Sequence, residues 1–472
     1  MATQPVGNRY ILPKLFTVLQ QTLKPLLFSS VDSASLVYFR IAFGVIMLWE
    51  VWRYFNHNWI KRYWIDPIFN FTYYGFDWIQ PWPGKGMYFH FLGMGILAIL
   101  IVLGLWYRIS AILFFFGFTY IFLLEKARYL NHFYLICLIS FLLIFIPAHR
   151  TFSLDAWRHS NRRIDKVPAW TVWILRLQIG IPYFYGGLAK LNSDWLQGEP
   201  MRMWMANRTD FPLIGSLFTE EWMVYLFSYG GLLLDLFVVP FLLWRRTRPF
   251  AFGAAVIFHL MNARLFSIGI FPWFMIAATT IFFPPDWPRR LLGQRKKVKR
   301  SRRKTQSISS RILHPKQSLT LALLGIYLSL QLLIPFRHFL YPGNVSWTEE
   351  GHRFAWHMKL RSKKSNALFK VINSSNNEVQ LVSPTDFLPR WQARKMATRP
   401  DMILQFSYFL AEEMGKANND SVEVQAEVFA SLNGRNYQRL ISPNVDLSQQ
   451  PQTLKPANWI MPLETPLTEG SK

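Results

Sequence analysis

Apolar residues form long runs over roughly the first 340 residues of the chain, and polar loops separate these runs. Nine runs predict membrane-spanning helices, although several are shorter than the ~20 residues that a span usually needs. The predicted spans are residues 36–52, 87–106, 109–124, 133–146, 170–188, 222–244, 250–263, 268–283 and 319–334.

A different pattern begins near residue 340. Alternating apolar and polar residues predict strands at 422–429 and 379–382, and Asn433-Gly434 is typical of a type I′ hairpin turn. Residues 400–414 predict an amphipathic helix that begins at a proline. The fold class expected is therefore a multi-span α-helical membrane protein with a C-terminal α+β, largely β, domain outside the cytoplasm. The predicted domains are an interfacial amphipathic segment (1–30), a transmembrane domain (31–336) and an extracytoplasmic domain (337–472).

The distribution of charged residues predicts how the chain is oriented in the membrane. The net charge is +25, and lysine and arginine concentrate in alternate loops, most densely at 295–304. This pattern is typical of cytoplasmic loops and makes nucleic-acid binding the weaker explanation. We predict a cytoplasmic N-terminus and a C-terminal domain on the outer side. A single cysteine, Cys137, excludes an intrachain disulfide and favours a bacterial inner membrane over the endoplasmic reticulum.

Candidate chemistry begins where the fifth span ends, at Lys190. At helical spacing Lys190, Gly187, Tyr183, Gly180 and Arg176 share one face of that helix. Ionisable groups within spans usually face a bundle interior or a cavity, and glycines allow close approach. The alternative is a lysine whose ammonium reaches the interface from a helix end.

Four further polar residues fall at the same predicted depth as Lys190, near the outer interface. Asn131 and His132 begin the fourth span, and His259 and Asn262 lie near the end of the seventh. Apolar surroundings disfavour the charged form of a lysine, so Lys190 is a candidate base. Asn131 and His132 are candidates to hold an oxygen atom of a flat, lipophilic ligand from the bilayer. No metal is expected, because histidine and cysteine spacing is not that of a zinc site.

Two opposite charges lie deeper in the predicted fifth and sixth spans. We interpret Arg176 and Asp235 as a structural ion pair that fixes these helices to each other.

Four segments of the chain form recognisable motifs. They are Gly-Leu-Ala-Lys-Leu-Asn-Ser-Asp-Trp at 187–195, Asn-His-Phe-Tyr-Leu at 131–135, a longer block at 258–271 and 285–289, and 431–439 in the C-terminal domain. Together these segments resemble the vitamin K-dependent γ-glutamyl carboxylase family, including bacterial relatives with an HTTM-type membrane domain.

The resemblance implies that Lys190 deprotonates vitamin K hydroquinone and that Asn131 and His132 contact it. It further implies coupled chemistry, in which O2 converts the hydroquinone to the epoxide while a glutamate of a protein or peptide is carboxylated with CO2. Membrane lipid, vitamin K and a glutamate-containing substrate are the expected partners, without a metal. The remaining candidates are Tyr183, Gly187, His259 and Asn262 for the cofactor, and Arg390, Trp391 and Arg435 for the substrate.

The chain also departs from the family pattern. His357 follows Trp356 where an acidic residue is usual, and Arg361 replaces a later histidine. The disulfide of the vertebrate enzymes is absent, since the chain has one cysteine. Two other functions therefore stay open at this point: a quinol epoxidase whose acceptor is not protein glutamate, and a non-catalytic quinone-binding membrane scaffold.

Overall fold

The fold comes from a computed structural model that describes residues 23–294, 314–418 and 420–467, without the side chains of Arg162, Ala417 and Asn418. Most of the predicted interfacial segment (1–30) and all of the basic run at 295–304 lie outside the described residues.

Nine helices correspond one to one to the nine predicted spans. By length and composition, six of them can cross a membrane: the first three, the sixth, the seventh and the ninth, the last together with the turn that follows it. The count of nine crossings stays a prediction. The helices are α1 (Ala34–Asn56), α2 (Gly86–Leu103), α3 (Tyr107–Leu124), α4 (Asn131–Phe145), α5 (Trp170–Ala189), α6 (Glu221–Leu243), α7 (Arg248–Phe266), α8 (Phe271–Thr279) and α9 (Pro315–Leu333).

Shorter elements connect these helices. Two strands, β1 (Ser30–Asp32) and β2 (Lys166–Pro168), pair antiparallel at the end of the bundle where α1 and α5 begin. There Arg289 forms ion pairs with Asp32 at 3.0 Å and Asp165 at 3.3 Å. The short helices of the membrane domain are Leu154–Arg158, Ser193–Leu196, Met201–Ala206 and Trp287–Leu291, with a π-helical turn at Lys61–Ile65 and 3₁₀ turns at Lys126–Arg128, Ser160–Arg162, Gly215–Thr219, Thr280–Phe282 and Ile334–Leu340.

Glycines set the contact between α5 and α6. A Cβ atom at Gly187 would lie 2.8 Å from the side chain of Leu236, and one at Gly180 would lie 3.3 Å from Val239. Without Cβ atoms, the two helices approach closely along this face. The close approach that these glycines predict is therefore made by α6, and this contact fixes the position of the helix end that carries Lys190.

The C-terminal domain contains a four-stranded antiparallel sheet in the order β4-β3-β5-β6. Its strands are β3 (Lys363–Asn373), β4 (Val379–Val382), β5 (Val422–Leu432) and β6 (Gln438–Arg439). Every second residue of β5 is buried, and these residues pack with Phe369 and Phe406 in the domain core. The helices α10 (Arg390–Met396) and α11 (Pro400–Asn418) complete the domain, with short turns at Val345–Thr348, Pro384–Asp386 and Leu447–Gln449.

This domain confirms the predicted α+β class, the strand at 379–382 and the helix at 400. It corrects the predicted hairpin. Asn433 and Gly434 both have positive φ, as a type I′ turn requires, but pairing resumes only at Gln438 opposite Ala430. Asn433 instead bonds back to Ser362 through its backbone N–H at 2.8 Å and through its side-chain oxygen at 2.8 Å.

The C-terminal domain packs on the loops that follow α1, α3 and α5 and on the last turn of α7. Gln392 donates to the carbonyl of Phe69 at 2.7 Å, and Asp401 pairs with Lys126 at 2.9 Å. Since the β1–β2 pair lies at the other end, consecutive helices alternate in direction, as the charge pattern predicts. The domain therefore contacts the bundle at the end where α5 stops.

The contact to the loop after α5 is a buried ion pair. Both oxygens of Asp194 accept hydrogen bonds from Arg435, at 2.6 and 2.8 Å, and Asn433 donates a third at 2.7 Å. Burial alone would raise the pKa of Asp194, but these hydrogen bonds outweigh it and hold the pKa below its usual value. Arg435 also donates to the carbonyls of Leu432 and Thr465. Its guanidinium anchors the domain, and the predicted substrate role would require this pair to open.

A second charged cluster lies within the C-terminal domain. The carboxylate of Glu349 accepts both Nε and Nη2 of Arg361, and His352 lies 3.3 Å away. Burial opposes ionisation, but the charges of Arg361, His352 and Lys363 outweigh it and hold the pKa of Glu349 at about 2. The pKa of Lys363 falls to about 7, chiefly because its ammonium is buried. Glu349 is thus the counter-ion of a cationic region.

We expect Asp194→Ala to destabilise the protein by about 3–5 kcal/mol, because it leaves the guanidinium of Arg435 buried without a counter-ion. Thermal unfolding of the purified protein measures the loss. Asp210→Ala is the matched control, since that carboxylate is 81% exposed and 3.7 Å from Arg208, and it should change stability by less than about 0.5 kcal/mol. An unchanged Tm for Asp194→Ala, with only peptide binding impaired, would favour the substrate role of Arg435.

Glu349 gives a dependence of stability on pH. Its pKa is about 2 in the folded protein against an ordinary value of 4.5, so its contribution is complete above pH 4.5 and is lost as the pH falls towards 2. The difference amounts to roughly 3 kcal/mol. The difference in Tm between the parent and Glu349→Gln should therefore be largest at neutral pH and should disappear as the pH falls from 4.5 to 2. Glu412→Gln, at an exposed pair with Lys416, should leave a gap that stays small at every pH, because exposed ion pairs contribute little.

Candidate active site

A cavity of about 390 Å³ lies at the end of α5, between α5, α6, α7 and α8. Its wall is mainly apolar, with Trp195, Trp204 and Phe271 among its aromatic residues. Two residues of the C-terminal domain, Met358 and Lys359, also line it. Polar groups that reach the cavity are Tyr183, Lys190, Asp235, His259, Asn262 and Lys359. Such a cavity, apolar with a few converging polar groups, is typical of a ligand site.

Lys190 forms a buried ion pair with Asp235 of α6. The two side chains are 8% and 7% exposed. The ammonium also lies 5.3 Å from the ring centre of Trp195 and 6.0 Å from that of Phe258. Lys190 therefore points into the bundle and does not reach for the interface, which excludes the alternative interpretation of its position.

A second polar group in the cavity joins α5, α7 and α8. The Tyr183 hydroxyl lies 2.6 Å from Nε2 of His259 and 3.2 Å from the hydroxyl of Thr279. His259 is 2% exposed, and its Nδ1 has no hydrogen-bond partner among the described residues. An unpaired polar atom buried beside an apolar cavity matches a ligand that brings its own hydrogen-bonding group.

Lys359 is a second lysine in the same cavity. Its ammonium lies 4.8 Å from the ring centre of Phe266 and 5.5 Å from that of Trp204, in cation–π geometry. Within the described part of the chain no carboxylate pairs with it. Burial lowers the pKa of Lys359. The cavity thus holds one lysine with a counter-ion and one without.

Asn131 and His132 do not line this cavity. The Asn131 amide donates to the carbonyl of His357 at 3.0 Å and accepts from the Tyr129 hydroxyl at 2.9 Å. The ring of His132 lies 5.6 Å from that of Phe271, which does line the cavity. Both residues therefore support the wall from behind, and their direct contact with a quinol stays a prediction.

The cavity opens sideways between α6 and α7. Two of its lining residues, Leu226 on α6 and Ile257 on α7, are 57% and 65% exposed. Both helices are long and apolar enough to cross a membrane. A lipophilic ligand can therefore enter from the bilayer without passing through water.

Comparison with known families identifies the two parts of the chain. Residues 28–287, more than half of the chain, match the HTTM domain, and residues 316–466 match the lumenal domain of vitamin K-dependent gamma-carboxylase. The chain belongs to the vitamin K-dependent carboxylase family. No solved structure matches it. The family match indicates a multi-pass membrane protein and an enzyme of the vitamin K-dependent carboxylase type.

The predicted ion pair between Arg176 and Asp235 is wrong. Arg176 donates to the carbonyls of Ile281 at 2.9 Å and Phe283 at 3.0 Å, whereas Asp235 pairs with Lys190. The reason is the antiparallel register of α5 and α6, in which Gly187 meets Leu236. Fourteen residues separate Arg176 from Lys190, or roughly 20 Å along a helix.

Several residues of the cavity had no signal in the sequence. Met358 and Lys359 come from the C-terminal domain, whose docking on the bundle cannot be predicted from periodicity. The departures from the carboxylase pattern have structural uses: Arg361 pairs with Glu349, and His357 lies 4.7 Å from the ring of His338. Of the predicted substrate residues, Arg390 is exposed, and Trp391 packs on Tyr63 with ring centres 5.0 Å apart.

A double-mutant cycle distinguishes the two pairings of Asp235. Asp235→Asn and Lys190→Met should each lower Tm, and the double variant should be less destabilised than the sum, because the surviving charge of each single variant is buried. We expect a coupling of at least about 1 kcal/mol. Arg176→Gln is the control: combined with Asp235→Asn it should add without coupling. Coupling between Arg176 and Asp235 would restore the original interpretation.

Proposed function

We propose that the protein is a vitamin K-dependent carboxylase that couples oxygen-dependent epoxidation of vitamin K hydroquinone to γ-carboxylation of a peptide or protein glutamate. The supporting observation is the buried Lys190–Asp235 pair in an apolar cavity that opens towards the bilayer.

The residues of the cavity fit a reduced naphthoquinone. Aromatic and aliphatic side chains suit a flat ring, and the unpaired Nδ1 of His259 suits a ring hydroxyl. The ring would be held by Lys190, Tyr183, His259 and Asn262. Gly187 lies one helical turn before Lys190 and would allow the close packing that positions it. Contact of Asn131 and His132 with the hydroquinone stays part of the proposal. When bound, reduced vitamin K supplies the strong base that removes the γ-proton of glutamate, as O2 oxidises it to the epoxide.

The Lys190–Asp235 pair acts as one proton-accepting unit. In the proposed mechanism Asp235 takes a proton from the ammonium of Lys190, to which it is hydrogen-bonded. With that proton on Asp235, Nζ of Lys190 is a neutral amine and takes the proton of a hydroxyl held in the cavity. Burial keeps water out of the cavity, so the pair exchanges protons with the bound hydroxyl and not with solvent.

Glutamate would approach from the C-terminal domain, which reaches the cavity through Met358 and Lys359. We assign Arg390 and Trp391 to the approach of the peptide, with Arg435 available only if its pair with Asp194 opens. The proposal includes nine crossings, domains at 1–30, 31–336 and 337–472, and a bacterial inner membrane with the C-terminal domain outside. Lipid, vitamin K and a glutamate-containing peptide are its partners, and no metal is required.

Lys190→Arg tests the role of the base. Arginine keeps the positive charge for Asp235 but cannot be deprotonated in a protein. Purified Lys190→Arg should keep its fold and lose epoxide formation and labelled bicarbonate incorporation into a glutamyl peptide together, by about 10²-fold or more.

Lys359→Arg makes the same change at the other lysine of the cavity. It should remain at least about 10-fold more active than Lys190→Arg, since arginine also binds the faces of Trp204 and Phe266. The opposite ranking would assign the base to Lys359. Epoxide formation without labelled product for any glutamyl peptide would make the protein an epoxidase with another acceptor. Absence of both activities in the parent would leave a quinone-binding scaffold.

A further inference from the structure

A second cavity of about 400 Å³ lies at the end of the bundle opposite the C-terminal domain. Its wall combines the start of α3 with the segment that joins α4 to α5, and none of its residues lines the first cavity. The lining residues are Trp106, Tyr107, Arg108, Ile109, His149, Arg150, Asp155, Ala156 and His159.

Positive charge dominates this cavity. Arg108 and Arg150 both line it, and they lie close enough to repel each other. A third guanidinium, that of Arg40, interacts electrostatically with Tyr107 and Asp155 of the wall. Arg40 is 1% exposed, and its Nε and Nη1 have no hydrogen-bond partner among the described residues. An anion in the cavity would therefore reduce the repulsion between Arg108 and Arg150, with the charge of Arg40 behind the wall.

The one carboxylate in the wall is already engaged. The oxygens of Asp155 accept the backbone N–H groups of Trp106 and Tyr107, each at 2.9 Å. His149 stacks on Tyr107 with ring centres 4.9 Å apart, and its buried Nδ1 has no partner in the described part of the chain. Burial, followed by Arg108 and Arg150, lowers the pKa of His149 to about 4, so its ring is neutral and can bond a phosphate oxygen.

An apolar strip leads from the cavity along the membrane face of α3. Ile109 lines the cavity and is 60% exposed, and Leu113 and Phe116 follow at helical spacing with 51% and 63% exposed. Trp106 and Trp157, both exposed, stand beside the cavity mouth as tryptophans do at membrane interfaces. The surface thus continues from a cationic recess into the hydrocarbon region of the bilayer.

We propose that this cavity binds an anionic phospholipid of the leaflet opposite the C-terminal domain, with the phosphate between Arg108 and Arg150 and an acyl chain along Ile109, Leu113 and Phe116. Charge complementarity and the continuous apolar strip favour a lipid over a soluble phosphate. The site is separate from the candidate active site and does not depend on the proposed function.

Thermal stabilisation of the full-length, delipidated protein in detergent tests the proposal. Phosphatidylglycerol should raise Tm in a saturable manner, whereas phosphatidylcholine and inorganic phosphate at equal concentration should not. The double variant Arg108→Gln, Arg150→Gln should need at least about 10-fold more phosphatidylglycerol for half of the shift, the factor that 1.4 kcal/mol of binding free energy represents.

Arg245→Gln, Arg246→Gln is the matched control. These two arginines are exposed in the loop after α6, they do not line the cavity, and their loss changes the net charge equally. The control should keep the parent's response. Equal loss in both double variants would mean general surface charge and would overturn the site. A Tm shift with inorganic phosphate alone would replace the lipid by a soluble phosphate.

Photo-crosslinking of the unmodified protein covers the case in which the double variant does not fold. A phosphatidylglycerol probe with a photoreactive head group, in vesicles of phosphatidylcholine, should label peptides that contain residues 106–109 or 149–159. Excess unlabelled phosphatidylglycerol should suppress this labelling. Labelling confined to other peptides, or unaffected by the competitor, would contradict the proposal.

Discussion

The buried pair of Lys190 and Asp235 depends on how closely two helices can approach. An opposite charge offsets the cost of burying the ammonium of Lys190, and here that charge is on the neighbouring helix. The glycines of α5 bring the two backbones together and set the register of α5 on α6. That register determines where Lys190 lies relative to Asp235. The cavity, its polar groups and the chemistry proposed for them all rest on this contact.

The end of α5 is held from the other side as well. Four residues after Lys190, Asp194 fixes the chain to Arg435 and Asn433 of the C-terminal domain. Two buried carboxylates therefore hold the end of the helix that carries the candidate base. Asp235 of the membrane domain pairs with Lys190, and Asp194 pairs with the C-terminal domain. The two domains match separate family descriptions, yet the cavity takes residues from both.

Much of this architecture could be predicted from periodicity. Long apolar runs located all nine helices, and strict alternation located β5, because each signal is repeated many times within one element. The strand β3 was missed, since its first residues (Lys-Lys-Ser-Asn) are polar and only its pairing with β5 holds them extended. Part of the cavity wall was predicted, since Lys190, Tyr183, His259 and Asn262 all line it, while their roles stay predictions. The partner of Asp235 was wrong, because a sequence places a charge on a helix but does not give the register between two helices.

The sideways opening between α6 and α7 has a kinetic consequence. A lipophilic quinol partitions almost wholly into lipid. The concentration that matters at this opening is therefore the ratio of quinol to lipid in the bilayer. Diluting the bilayer with inert lipid at constant total quinol would then slow the enzyme, while diluting the whole suspension with buffer would change little. Under the proposed function, the epoxide would leave into the same bilayer and compete there with fresh quinol. Turnover would then follow the ratio of quinol to epoxide in the bilayer and not their amounts in the whole suspension.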